Sequence, residues 1–319
     1  MYKLKAILLF DLSRKANIEN PTDQDIQKAK LLYYYPDERN MDDKLSHLGL
    51  IEGLIVLSKT FSDENIEYIC SRLYTTAVFE WKKNIFLSAF FSNDVPSKSE
   101  EDEYSYYWRN NLLKTLLGNG TKIFELLHGD LNKYIPQGDR YALVTSSIVF
   151  SDDTLGLKTI LDEFFPTFMA NSTNNTLHIL KDLDGYKKCH SNISVTLDAQ
   201  MLIDEIFREF PMVYKSLLIY DDQVLHTTME LDVMLVVYSY LINHRGSLSK
   251  SKSFSVKWPK DSDLIIVDAQ DDQLFNPRVY IDGNPYIMSI LFVKKSILIL
   301  LLDTNDPLLV LEFQILHLL

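Results

Sequence analysis

Glycine is scarce, 10 residues in 319, against a usual share of about 7%. A glycine-rich phosphate cradle therefore has little to be built from. The nearest match, Gly118 to Lys122 (GNGTK), follows a helical pattern and lacks the spacing of a nucleotide-binding loop. It reads instead as Gly118 ending one helix and Thr121 capping the next. Cysteine is rarer still. Cys70 and Cys189 are too few for a disulfide framework and too far apart in sequence for a zinc site, which points to a reducing compartment.

Positive charge is also in deficit, with 32 Lys and Arg against 44 Asp and Glu and a net charge of -12. Sequence-blind nucleic-acid binding needs a cation surplus to displace counterions, so that class is excluded. Long apolar runs are missing. Lys294-Lys295 divide the stretch 287–302, and 307–319 falls short of the roughly 20 residues of a membrane span. The apolar start, ending at Phe10-Asp11, is too short for a signal peptide and reads as a strand.

With hydrophobic residues at 46% and charged residues at 24%, the chain has enough apolar content for a packed core. Lys5–Phe10 and Lys30–Tyr35 read as buried strands bounded by Asp11 and Pro36. Asp42 or Asp43 caps a helix from Lys44 to about Thr60, followed by a hairpin from Tyr74 to Phe91 turning at Lys82-Lys83. Two helices follow, over 104–117 and 121–127. Strand, strand, helix, hairpin, helices is an α+β layering. The order recurs. Helical segments near 155–169 and 197–210 precede a hairpin turning at Asp221-Asp222 and a helix over 231–243. Strands over 278–302 then open a third, incomplete copy. The expected division is 1–130, 131–244, a basic linker and loop over 245–275, and 276–319.

The helix over 44–60 is apolar on two sides. Leu45, Leu48, Ile51, Ile55 and Val56 fall on one broad face, and Leu50, Leu54, Leu57 and Phe61 form a second stripe. Ser46, Gly49, Gly53 and Thr60 lie between them, small enough to admit another backbone. One sheet satisfies one face, so a partner is expected on the other.

Chemistry-bearing groups are sparse. His128-Gly129-Asp130 places a base beside a carboxylate, the basis of an alternative hydrolase reading, but no serine or cysteine nucleophile motif accompanies it. The pairs Asp152-Asp153, Asp221-Asp222 and Asp271-Asp272 read as turn residues, not metal ligands. No cofactor, metal or catalytic residue is assigned. Arg245, Lys250, Lys252, Lys257 and Lys260 make the segment 245–260 basic without an acid, a candidate contact for anionic lipid headgroups.

The run Lys28–Pro36 (KAKLLYYYP), then His47–Phe61 (HLGLIEGLIVLSKTF) and Glu80-Trp81, resembles the triple-longin family to which the Ccz subunits of Mon-Ccz complexes belong. Leu217–His226 (LLIYDDQVLH) followed by Glu230-Leu231-Asp232 is similar to the start of that family's second longin domain. The resemblance implies tandem longin domains, each an antiparallel sheet packed between helices. It also implies a subunit of a guanine-nucleotide exchange factor, without covalent chemistry, for a late-endosomal Rab GTPase in endosome maturation and vacuole or lysosome fusion. The implied partners are a Mon-type longin subunit and the GTPase, and the implied location is cytoplasmic, peripherally on late-endosomal, lysosomal or vacuolar membranes. Gly49, Leu50, Glu52, Gly53, Val56, Lys59, Thr60 and Phe61 match the family helix that meets GTPase or partner. The alternative within the same resemblance is a longin adaptor in vesicle trafficking or ciliary assembly that binds without exchange activity.

Overall fold

The computed structural model describes residues 3–62, 66–71, 74–92, 103–135, 141–142, 152–179, 186–190, 192–248, 253–257, 263–267, 277–293 and 295–303. Contacts divide the chain into two units, Met1–Thr121 with Leu131–Ala170, and Lys122–Asp130 with Asn171–Leu319.

The first unit begins with β1 (Lys3–Asp11), β2 (Lys15–Ala16), α1 (Asp23–Lys30), β3 (Leu31–Tyr35) and α2 (Met41–Phe61). It continues with β4 (Tyr68–Cys70), β5 (Tyr74–Lys82), β6 (Ile85–Ser92), most of α3 (Glu103–His128), β7 (Tyr141–Ala142) and much of α4 (Asp152–Ile179). Five strands form one antiparallel sheet in the order β3-β1-β6-β5-β4. Alternation along each strand separates two faces. Ala6, Leu8 and Phe10 point with Tyr34, Val78, Phe86 and Phe90 toward Leu48, Ile51 and Ile55 of α2. On the opposite face Tyr33 and Trp81 lie 6.3 and 6.5 Å, ring to ring, from Phe165 of α4. The sheet is thus packed between helices, as expected.

α3 corrects the expectation of two helices. It runs unbroken from Glu103 to His128, so Gly118 is not a C-cap and Thr121 is not an N-cap. The glycines serve packing: a Cβ at Gly118 would sit 3.4 Å from the Phe79 ring, and one at Gly120 would sit 2.9 Å from the Phe168 ring. The Thr121 hydroxyl donates to the Gly118 carbonyl at 2.9 Å within the helix.

The second unit holds α5 (Ile193–Glu209), β8 (Val213–Tyr220), β9 (Gln223–Thr227) and α6 (Leu231–Leu248). It then adds β10 (Ser253–Lys257), β11 (Asp263–Val267), β12 (Arg278–Ile281), β13 (Asn284–Val293) and β14 (Ser296–Asp303). The sheet order is β10-β11-β13-β14-β8-β9, with β12 also paired to β13. The β8–β9 hairpin turns at Asp221 and Asp222, at φ 48° and 64°, the left-handed pair a two-residue hairpin needs.

Two expectations about this unit differ from what is seen. The strands over 278–302 do not open a third copy. β14 pairs with β8 from Ser296↔Tyr220 to Leu302↔Val213, and this closes the second sheet. Burial drives the closure, since Ile299 and Leu301 of β14 and Leu217 and Ile219 of β8 are all fully buried. The segment 245–275 is likewise more than a linker: α6 continues to Leu248, and β10 and β11 pair antiparallel from Ser253↔Val267 to Lys257↔Asp263. With that hairpin set aside, both units follow one plan: two strands, a helix, then three strands, with the first and last strands adjacent at the centre.

Candidate functional site

α2 is positioned from both ends. Asn40 is the N-cap, its Oδ1 accepting from the Asp42 and Asp43 amides at 2.6 and 3.3 Å. The helix therefore starts at Met41, three residues before the expected Lys44. Lys44, almost fully buried, donates from Nζ to the Asp37 carbonyl and to Asp37 Oδ1, both at 2.7 Å. Lys158 of α4 takes the other carboxylate oxygen at 2.7 Å. Desolvation would raise the Asp37 carboxyl, but hydrogen bonds from Lys158 and Lys44, with their charges, outweigh it and hold the group below its ordinary value. One turn along α2, His47 Nδ1 and the Tyr34 hydroxyl are 2.7 Å apart, and the His47 ring stacks on Phe90 at 4.5 Å. Burial, aided by the Arg39 charge and opposed by Asp43, pushes the imidazole below its usual value and favours the neutral ring.

The inner stripe of α2 is confirmed at Leu45, Leu48, Ile51 and Ile55, all buried. Three of the four residues of the outer stripe are open to solvent, Leu50 at 54%, Leu57 at 51% and Phe61 at 83% exposure, while Leu54 is half-buried. Val56, expected on the core side, is 57% exposed and belongs with them. Its position at the margin of the inner face puts it beyond the reach of the sheet.

The eight residues assigned from sequence separate into two groups. Leu50, Gly53, Val56, Lys59, Thr60 and Phe61 all lie on exposed surface, and a Cβ on Gly53 would meet nothing within 4 Å. Gly49 and Glu52 are engaged by the chain itself. A Cβ at Gly49 would sit 2.8 Å from Gln27 Nε2, and Glu52 forms an ion pair with Lys30, both partners belonging to α1. The small-residue line thus admits α1 at Gly49 and remains free at Gly53. The sequence reading missed α1, although Thr22 and Asp25 form a reciprocal capping box at its start. Leu57, noted in the outer stripe but absent from the assigned set, belongs to the same surface.

The alternative residues lie elsewhere. His128 sits in the last turn of α3 with its ring 4.9 Å from Phe124. A cleft of about 550 Å³ in the second unit is lined by Lys122, Glu125, Asp130, Asp232, Tyr280 and Asp282 among others, and no α2 residue borders it. Arg245 falls in α6 and Lys257 ends β10, whereas Lys250, Lys252 and Lys260 lie outside the described residues. No described helix is long and apolar enough to cross a membrane.

Residues 15–129 match a family model described as the first longin domain of INTU, CCZ1 and HPS4. The chain is 22% identical over 298 residues to a vacuolar fusion protein CCZ1 homologue of Dictyostelium discoideum, covering 88% of this chain and 64% of that protein. It is 24% identical over 237 residues to the homologue of Oryza sativa subsp. japonica, covering 71% and 44%, and 22% identical over 227 residues to that of Nematostella vectensis, covering 68% and 46%. The chain therefore spans less than two thirds of the length of each of these relatives. Residues 15–129 are thus similar to the first longin domain of INTU, CCZ1 and HPS4, the second unit repeats the strand order of the first, and the chain is similar over most of its length to CCZ1 homologues.

Proposed function

We propose that the chain is a non-catalytic subunit of a trafficking complex that serves fusion at the vacuole or lysosome. More specifically, it pairs with a Mon-type longin subunit to form a guanine-nucleotide exchange factor for a late-endosomal Rab GTPase. The observation that carries the reading is the exposed apolar outer face of α2, Leu50, Val56, Leu57 and Phe61 around the open Gly53, on a domain of the CCZ1 longin type. Burying the area still exposed on each large side chain there is worth roughly 1–2 kcal/mol to a complex. Exchange then follows from linkage. A composite surface that binds the nucleotide-free switch regions more tightly than the loaded ones weakens nucleotide by the same factor. The work is differential binding and needs no nucleophile. The basic run from Arg245 to Lys260 is assigned, on charge alone, to contact with anionic headgroups of the membrane where the complex acts.

The test is release of a fluorescent guanine nucleotide from a loaded late-endosomal Rab, on adding the chain together with its Mon-type partner. Acceleration by the pair, lost when Phe61 and Leu57 are both replaced by Asp, is the expected result. Binding of the GTPase without preference for its nucleotide-free form would replace the exchange factor with an adaptor, and no binding at all would remove both readings.

A further inference from the structure

α5 in the second unit satisfies its own sheet with one stripe and presents another. Ala199 and Ile203 are buried, and Ile206 and Phe207 pack with Val213, Leu300 and Leu302. On the opposite side Ile193, Leu197 and Met201 recur every fourth residue at 80%, 53% and 68% exposure. At 100° per residue the carboxylates Asp198, Glu205 and Glu209 follow one flank of that stripe, and Asp204 prolongs it. All four are exposed. The single cation of the helix, Arg208, lies 3.5 Å from Glu205, and both side chains remain largely solvated, so it offsets little of the acidic flank.

We propose that this face docks a helix of another protein whose own apolar stripe is flanked by lysine or arginine. Charge selects among the surfaces that could cover an apolar strip. Helices that lie on membranes carry cations beside their apolar face, because the lipid surface is anionic; here the flank is acidic and would be repelled. A second copy of this chain, joined by a two-fold axis through α5, would bring like patches together and set the row Asp198, Glu205, Glu209 beside its own image. A helix with basic flanks buries the same Ile193, Leu197 and Met201 and satisfies the row instead of opposing it. Methionine at the centre gives the strip an adaptable contact. This surface is separate from the outer face of α2 and does not depend on exchange activity.

The test titrates the full chain, by fluorescence anisotropy, with two labelled synthetic helical peptides that share one leucine stripe and differ only in Lys or Glu flanks. The Lys-flanked peptide is expected to bind at least about tenfold more tightly and to weaken with salt. Leu197→Asp with Met201→Asp should abolish that binding while lowering the thermal midpoint by only a few degrees, the cost of poorer helix propensity and like charges one turn apart, since both side chains are exposed. Asp198→Lys with Glu205→Lys should transfer the preference to the Glu-flanked peptide, whereas Gly53→Leu in α2 should change nothing. Equal affinity for the two peptides, binding of neither, or binding indifferent to the α5 substitutions overturns the proposal. So does capture of phosphatidylserine vesicles, or self-association, that the Leu197→Asp, Met201→Asp pair abolishes.

Discussion

Replacing Gly53 by Leu separates the stability of α2 from its use as a surface. Gly53 has helical φ, and a side chain grown there meets nothing within 4 Å, so the folded chain accommodates Leu without strain. Glycine within a helix costs about 1 kcal/mol relative to Ala and Leu costs little, so the substitution should stabilise by roughly 0.5–1 kcal/mol. For units of this size that raises the thermal midpoint by about 1–4 °C. Binding should move the other way. If a partner backbone packs across Gly53 between Leu50 and Leu57, an inserted isobutyl group overpacks the contact by about 1–3 kcal/mol, which weakens the dissociation constant roughly five- to hundredfold. The assay pairs differential scanning fluorimetry with titration of the Mon-type subunit and the GTPase, and Gly53→Ala serves as the milder control. A variant that is stabilised and binds both proteins as well as the parent chain refutes the assignment of this face. A variant that is destabilised refutes the claim that the position is open.

Asp37→Ala leaves Lys44, a nearly buried ammonium, with only the backbone carbonyl of residue 37 among its Asp37 contacts, and it also removes the Asp37 contact of Lys158 in α4. A loss of about 1–2 kcal/mol is expected in urea unfolding, at the lower end for a buried charge because the carboxylate is half exposed. Because the folded-state value of Asp37 is depressed, this contribution is present above the unfolded carboxylate value and should disappear as pH falls through the lower folded one. His47 acts in a different window. Its folded value lies below 6.5, so the unfolded chain binds protons first and stability should decline as pH falls through 6.5; His47→Gln should flatten the stability profile of the parent chain between neutral and mildly acid pH. Gly120→Val places a side chain against the Phe168 ring, where a Cβ alone already comes within 2.9 Å, and is expected to lower unfolding free energy by about 1–3 kcal/mol.

Local patterns were legible from sequence, and pairings between distant segments were not. The hairpin at Asp221-Asp222 and the inner stripe of α2 follow from nearest-neighbour chemistry: turn residues that adopt positive φ, and apolar residues at helical spacing. α1 was missed because it has only eight residues and carries Asp, not Glu, at the third position of its capping box. The break imagined at Gly118 reflects glycine's usual role as a helix stop, which packing overrides where Phe79 and Phe168 need the space. Strands β12 to β14 were separated from β8 and β9 because the intervening residues looked like a linker. Nothing local tells Leu300 that its register partner is Ser216. Within the site, the outer stripe was found by angle, but angle alone could not show that α1 would cover Gly49 and Glu52, or that Val56 would fall outside the core.

The duplicated plan supplies an internal comparison for the α2 surface. α6 occupies in the second unit the place that α2 holds in the first, between the opening strand pair and the closing three strands. Both helices are apolar on more than one side, yet Met234 and all of Val237 to Leu241 are buried, whereas α2 leaves Leu50, Val56, Leu57 and Phe61 in water. A helix that is apolar all round is stable when it is covered all round, so over Met234 to Leu241 α6 has found its cover within this chain, whereas the outer face of α2 has not. Aspartate placed on each helix measures the difference. Leu241→Asp puts a carboxylate into a site 2% exposed, and an unpartnered group there should cost about 3 kcal/mol or more. Leu57→Asp, at a position half in solvent, should cost only about 1 kcal/mol, from lost partial burial and poorer helix propensity. Comparable losses at the two positions would mean that the outer face of α2 is already sealed in the free protein, and the case for a partner there would fail with it.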